Sequence, residues 1–317
     1  MKALITGITG FVGSHLAEHL LSQGIEVTGT IRSHSSLRHI RHLLPDMRLY
    51  ECELMDPDAV ERMMTEVRPD LIFHLAAQSY VPLSWESPAE TLTNNIMGQI
   101  HLLEAIRKLD LTPKVLIACS SEEYGQVQED EVPVTEMNPL RPISPYAVSK
   151  IAQDYLGYQY YKTYNLHIVR TRTFNHSGPR RGEQFVTSNF AKQIAEIEKG
   201  FKPPVLYVGN LDATRDFMDV RDVVRAYRMA LDYCQPGEIY NIASGQGREV
   251  REVLQVLLGF STVDITVEED KTRLRPSDVK VLVGDYTKFY RQTGWTPEIS
   301  FEQSLNDLLN YWRHELA

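Results

Sequence analysis

The chain has 317 residues, 43% of them hydrophobic and 24% charged, a balance that suits a globular protein with a sizeable core. Lys and Arg number 33 against 42 Asp and Glu, and a net charge of −9 argues against a general nucleic-acid or anionic-membrane binder, which needs a basic face. The three cysteines (Cys52, Cys119, Cys234) are scattered, giving neither a disulfide framework nor metal-ligand spacing, so no metal is expected.

No apolar run reaches the ~18 residues of a membrane span. The first residues run straight into a strand without a visible signal peptide, which points to the cytoplasm. Residues 3–5 read as that strand and 11–22 as a helix with Leu16, Leu20 and Leu21 inward. Further strands are expected at 26–30, 49–53 and 71–75, with a helix at 58–67. A long helix should cover 88–109, a strand 114–119, a helix 146–164 and a strand 167–171. Strands alternating with helices predict a parallel sheet wound on both faces. The remainder is looser, with helices at 190–199, 220–232, 250–258 and 300–312, short strands at 205–208 and 238–242, and a charged loop at 271–278. Cys119, inside an apolar run, reads as buried and inert.

Thr6-Gly7-Ile8-Thr9-Gly10-Phe11-Val12-Gly13 follows the first strand and opens the first helix. Glycines let the backbone approach a pyrophosphate, and the helix N-terminus offers N–H donors and positive potential. Gly7, Gly10, Phe11, Val12 and Gly13 are therefore expected to bind a dinucleotide. The second strand ends in Thr30-Ile31-Arg32-Ser33, where an acidic residue would bind the adenosine ribose of NAD. Arg32 and Ser33 suit a 2′-phosphate instead, which favours NADP over NAD. The expected fold is α/β. A doubly wound parallel-sheet Rossmann domain takes residues 1–175 with about 206–234, and a smaller α/β C-terminal cap takes about 176–205 and 235–317.

Tyr146 and Lys150 are four apart on a predicted helix and so share a face. An ammonium beside a phenol favours the phenolate, and such a phenol can move a proton at working pH. Tyr158 and Lys162 repeat the spacing, so context must choose between the pairs.

That context resembles the extended short-chain dehydrogenase/reductase family over nearly the whole chain. The supporting motifs are the glycine loop, His74-Leu75-Ala76-Ala77, Ser120-Ser121-Glu122-Glu123-Tyr124-Gly125, and Tyr146-Ala147-Val148-Ser149-Lys150 entered through Ser144-Pro145. The resemblance implies that Tyr146 transfers the proton, that Lys150 holds the nicotinamide ribose and lowers the phenol's pKa, and that Ser120 hydrogen-bonds the substrate. It also places Leu75, Ala76, Ala77 and His176 at the cofactor, and leaves Tyr158–Lys162 structural.

Within the family, the stretch 174–187 and Ala76-Ala77-Gln78-Ser79 are similar to the GDP-mannose branch. This likeness implies a GDP-sugar substrate held by Gln78, Ser79, Asn175, Val186, Lys192, Arg215, Arg275 and Asp278. Glu122 stands where the 4,6-dehydratases place a carboxylate, which removes the carbon 5 proton once carbon 4 is a ketone. Glu123 is expected to face away. The activity implied is an NADP-dependent GDP-mannose 4,6-dehydratase, a hydro-lyase, working as a homodimer or homotetramer. The alternative is GDP-4-keto-6-deoxy-mannose reductase, which consumes NADPH; a non-catalytic NADP-binding sensor is a minor third.

Overall fold

The computed structural model describes residues 1–273 and 279–317. The chain runs β1 (Lys2–Thr6), α1 (Phe11–Ser22), β2 (Glu26–Ile31), β3 (Arg48–Glu51), α2 (Pro57–Val67), β4 (Leu71–His74), α3 (Val81–Glu86), α4 (Pro88–Lys108) and β5 (Lys114–Ser120). It continues through α5 (Pro145–Tyr164), β6 (Ile168–Thr173), β7 (Asn175–Ser177), α6 (Val186–Glu198), β8 (Val205–Val208), β9 (Thr214–Asp219) and α7 (Val220–Tyr233). Last come β10 (Ile239–Ile242), β11 (Gly247–Glu249), α8 (Val250–Gly259), β12 (Thr266–Glu269), β13 (Val281–Leu282), α9 (Thr287–Thr293) and α10 (Phe301–Glu315).

Seven strands form one parallel sheet in the order β10-β6-β5-β4-β1-β2-β3. The strands of such a sheet are buried on both faces, as the unbroken burial of Leu71–His74 and Ile168–Thr173 shows. Strand order reverses between β1 and β4, and a crevice opens there above the carboxyl ends. One core cluster packs α1 and α7 on one face, and another packs α2, α4 and the opposite side of the strands. A third core, built from α6, α8 and α10, belongs to the smaller part of the molecule.

The expected fold class holds, and the strand pairings depart from the expected division at two places. Residues 235–317 do not all belong to the cap, because β10 pairs with β6 in the main sheet. Conversely, β9, which falls inside the 206–234 segment, pairs with β7, β11 and β13 in a small separate sheet. Helix α6 starts four residues before the expected 190, since Val186 to Asn189 complete its first turn. The expected loop 271–278 lies partly outside the described residues; its start, Lys271–Arg273, forms a single 3-10 turn.

Beneath the carboxyl ends of β5 and β6 lies a buried charge network. Arg172 donates through Nε to Glu123 at 3.0 Å and to Asp154 at 3.1 Å, and through Nη2 to Asp154 at 2.6 Å. Arg170 pairs with Asp154 as well and donates to the Gly237 carbonyl at 2.7 Å. Two guanidinium groups thus face two carboxylates out of water. Such a set is tolerable only while every member is paired. Cys119 lies against the same carboxylates, and burial pushes its thiol well above the ordinary range, as expected for an inert residue.

Arg172→Met should therefore strand Glu123 and leave Asp154 with Arg170 alone. The expected loss is about 3–5 kcal/mol, read from urea unfolding at neutral pH. A loss below about 1 kcal/mol would mean the network does not hold the sheet to α5.

Candidate active site

A cleft of about 1330 Å³ lies over the β1/β4 switch point and runs on to the small domain. The β1–α1 turn forms its floor. Gly7 has φ +74°, a left-handed conformation that glycine adopts without strain. A Cβ at Gly13 would sit 2.3 Å from the Gly7 carbonyl oxygen, so only glycine lets α1 start this close to the strand. Gly10 caps α1 with no side-chain acceptor, which leaves the first N–H groups of the helix to the cleft. These features fit a pyrophosphate.

Thr6 ties the two strands at the switch point. Its hydroxyl accepts from the N–H groups of Leu75 (3.1 Å) and Ala76 (3.2 Å) and lies 2.9 Å from His74 Nδ1. With two donors already on its oxygen, the hydroxyl proton goes to His74, which must be neutral and accept at Nδ1. Burial, reinforced by the charge of Lys150, holds His74 down to about 3.

The Tyr146–Lys150 pair stands on the first turns of α5. Ser144 caps that helix by accepting from Ala147 N at 3.1 Å, and Pro145 follows at its first position. Tyr146 and Ser120 line the cleft together, with the Ser120 hydroxyl offsetting part of the rise in the phenol's pKa, and Lys150 Nζ lies 5.9 Å from the Tyr146 ring centre while donating to the Ala118 carbonyl at 2.9 Å. The resemblance implied that Lys150 lowers the phenol's pKa. In the protein alone burial prevails: it pushes Tyr146 well above its ordinary value, and Glu122 adds to the rise. Burial also lowers Lys150. The duplicate pair is separate from the site, with Lys162 5.5 Å from the Tyr158 ring on an exposed stretch of α5.

The adjacent glutamates diverge. Glu123 turns inward, accepting from Ser120 N at 3.0 Å and from Arg172; burial and Asp154 push its carboxyl up, and the Arg172 charge opposes that rise. Glu122 turns into the cleft, and no hydrogen bond or ion pair engages its carboxylate among the described residues.

Gly7, Gly10, Phe11, Val12, Gly13, Arg32, Leu75, Ala76, Ala77, Gln78, Ser79, Ser120, Glu122, Tyr146, Lys150, Asn175, His176, Val186 and Arg215 all line this cleft. Gln78 does so with a committed side chain, which donates to Thr91 at 3.0 Å and accepts from Tyr80 N at 2.5 Å. His176 stacks on Phe11 with ring centres 5.8 Å apart, and burial lowers it to about 4.

Two expected residues are not in the lining. Ser33 points to solvent; the turn after β2 instead presents Ser35, whose hydroxyl accepts from Arg32 N at 2.9 Å. Lys192 is held outside by Glu183, by Glu196 at 3.7 Å and by the face of Trp312. Arg275 and Asp278 lie outside the described residues. Sequence reasoning missed Ser35, Arg181, Asn189, Tyr227 and Arg273, all on the cleft wall. For Ser35 the serine-rich turn was a usable signal; for the others no local pattern marks them.

Three comparisons bear on this geometry. A family model described as GDP-mannose 4,6 dehydratase matches residues 4–308. The chain belongs to that family. It is 35% identical to the GDP-6-deoxy-D-mannose reductase of Pseudomonas aeruginosa over 311 residues, covering 98% of this chain and 97% of the relative. It is 37% identical to a GDP-mannose 4,6-dehydratase of Vibrio cholerae, covering 99% and 96%. Among solved structures, RMD from Pseudomonas aeruginosa complexed with NADPH superposes with a TM-score of 0.87 at 32% identity, covering 99% of each chain. A Thermotoga maritima UDP-glucose 4-epimerase with UDP-glucose reaches 0.89 at 28%, covering both chains fully. One fold is thus common to proteins named for three different reactions on a nucleotide sugar.

His74 supplies a check on the switch-point geometry. Its folded pKa is depressed, so below about 6.5 the unfolded chain takes up a proton that the folded one refuses. Stability should fall by about 1.4 kcal/mol per pH unit from this group as pH drops from 6.5 toward 4. Unfolding free energies of wild type and His74→Gln across that range should diverge by this slope. Parallel profiles would mean His74 is not held neutral.

Proposed function

We propose that the chain is an NADP-dependent GDP-mannose 4,6-dehydratase, and the observation that carries this is the Glu122 carboxylate, without a partner among the described residues, standing in the cleft beside Ser120 and Tyr146. The end of β2 supports NADP: Arg32 and Ser35 line the cleft there, and the strand closes on Ile31 without an acid. When bound, the nicotinamide supplies the oxidation at carbon 4 and the later reduction at carbon 6, and its positive charge adds to that of Lys150 beside the phenol. Ser120 and Tyr146 meet the carbon 4 hydroxyl, and Tyr146 takes its proton as the ketone forms. The ketone acidifies carbon 5. Glu122 takes that proton and can pass one to the departing carbon 6 hydroxyl, which leaves as water. Arg215, Asn175 and the uncapped N–H groups at the start of α6 line the region suited to the diphosphate.

A second reading, the reductase, is favoured by chain length. The Vibrio cholerae dehydratase needs 360 aligned positions against this chain of 317, so it carries segments that this chain lacks, whereas the Pseudomonas aeruginosa reductase aligns over 311. On that reading Tyr146 gives a proton to the carbon 4 ketone, and Glu122 only shapes the pocket.

We read the chain as a cytoplasmic homo-oligomer. No helix of the described residues is long and apolar enough to cross a membrane. Helix α5 leaves Val148, Tyr155 and Tyr158 exposed along one stretch, which suits the interface of a homodimer or homotetramer.

The test is incubation with GDP-mannose and NMR of the sugar. A 4-keto-6-deoxy product without added reductant is expected, and Glu122→Gln should lower its rate by about 10²-fold or more while cofactor binding is unchanged. Unchanged GDP-mannose, with NADPH consumed on the 4-keto-6-deoxy sugar, would transfer the assignment to the reductase.

A further inference from the structure

Behind the cleft, the helix of Tyr146 and Lys150 reaches the β1/β4 switch point through one buried side chain. Gln153, a turn after Lys150 on α5, faces His74 with its amide nitrogen 3.4 Å from the ring Nε2. Both residues are buried, and Gln153 Oε1 has no hydrogen-bond partner among the described residues. The polarity of this contact follows from the far side of the ring. Thr6 already accepts from Leu75 N and Ala76 N, so it donates to His74 Nδ1, and the ring proton stands on Nε2. An amide N–H cannot bond to that proton. A half-turn of the amide exchanges its two nearly isosteric ends and brings Oε1 to the ring. Gln99, which donates to the Gln153 carbonyl at 2.8 Å and whose own Oε1 is buried without a partner, offers an acceptor for the amide nitrogen so released.

Every bond in the resulting line then points one way. Leu75 and Ala76 donate to Thr6, Thr6 to His74, and His74 to Gln153. The turn at its start bears on the cofactor side of the cleft. A Cβ at Gly7 would lie 3.1 Å from Ala76 Cα and N, so the 75–76 backbone rests against the glycine turn.

We propose that Gln153 is a positioning residue for the dinucleotide site, accepting the His74 Nε2 proton and, through His74 and Thr6, holding the Leu75–Ala76 turn against the glycine turn. The proposal rests on the reading of the cleft as a dinucleotide site. Gln153→Glu is the telling variant, because a carboxylate there favours proton uptake by the pair. His74 Nδ1 then carries hydrogen, three donors compete for the two lone pairs of Thr6, and the turn loses a bond. Lys150 is the charged group that acts on His74 among the described residues, and it opposes that uptake; the β1 and β5 neighbours, Thr6 and Ile117, are uncharged.

Two measurements test it. NMR of wild type carrying isotope-labelled histidine, with His74 assigned from His74→Gln, should show the ring protonated at Nε2 and bare at Nδ1 from about pH 8 to about pH 5.5. NADPH titrated by fluorescence should bind Gln153→Glu within about threefold of wild type near pH 8 and about tenfold more weakly than wild type near pH 5.5. Taking the ratio to wild type at each pH removes the cofactor's own titration. Thermal melting checks folding. If the Glu variant does not fold, Gln153→Met, which removes the acceptor at every pH, should bind NADPH about tenfold more weakly throughout. A wild-type His74 protonated at Nδ1, a Gln153→Glu ratio that does not change with pH, or a Gln153→Met affinity within about threefold of wild type would overturn the proposal. Wild type that shows the expected tautomer but binds no NADPH would overturn the reading of the cleft, and with it the cofactor role of Gln153.

Discussion

The pairing of Arg172 with Glu123 decides the chemistry of the cleft. Two glutamates leave β5 side by side, and only one can be spared for a substrate. Arg172, reaching across from β6 with Asp154 and Arg170 behind it, draws Glu123 down beneath the sheet end. Glu123 in turn accepts from the Ser120 N–H and fixes the tight turn after it. With that anchor made, Ser120 lies against Tyr146 and Glu122 has nowhere to go but the cleft. The site's proton donors and acceptors therefore depend on an ion network that lies beneath them and outside the cleft. This is also why the network is worth its desolvation cost: unpaired, the same charges would unravel the turn.

The electrostatics of the phenol stem from the same depth of burial. Tyr146 and Lys150 share a helical face, as their spacing requires, yet burial raises the phenol and lowers the ammonium. Lys150 spends one N–H on the Ala118 carbonyl, which fixes its direction. On the proposed function a bound nicotinamide would complete the tuning, in a cleft where Glu122 has no ion-pair partner among the described residues.

Much of this was legible in the chain. The alternation of apolar runs and helical patterns marked the sheet, and the glycine turn marked the switch point, because both are local signals. The Ser144-Pro145 entry separated Tyr146–Lys150 from Tyr158–Lys162, since it is a helix start that brings a residue to the sheet end. What stayed hidden depends on distant contacts. Arg172 is 49 residues from Glu123, and nothing near Glu122 says which glutamate is tied down. Ser33 and Ser35 differ only in how a turn closes. Lys192 looked available, but Glu183 and Glu196 from its own neighbourhood hold it. The place of β10 in the main sheet was missed because a four-residue strand after a long excursion carries no mark of its partner.

On the proposed function Glu122 turns a carbon 4 oxidation into an elimination within one binding event. The most direct measurement uses GDP-mannose deuterated at carbon 4, with NMR or mass spectrometry of the product. The deuterium should move to carbon 6 of a 4-keto-6-deoxy sugar, with no net change in NADPH. Deuterium retained at carbon 4 of unreacted substrate, while the 4-keto-6-deoxy sugar is reduced at the expense of NADPH, would contradict it.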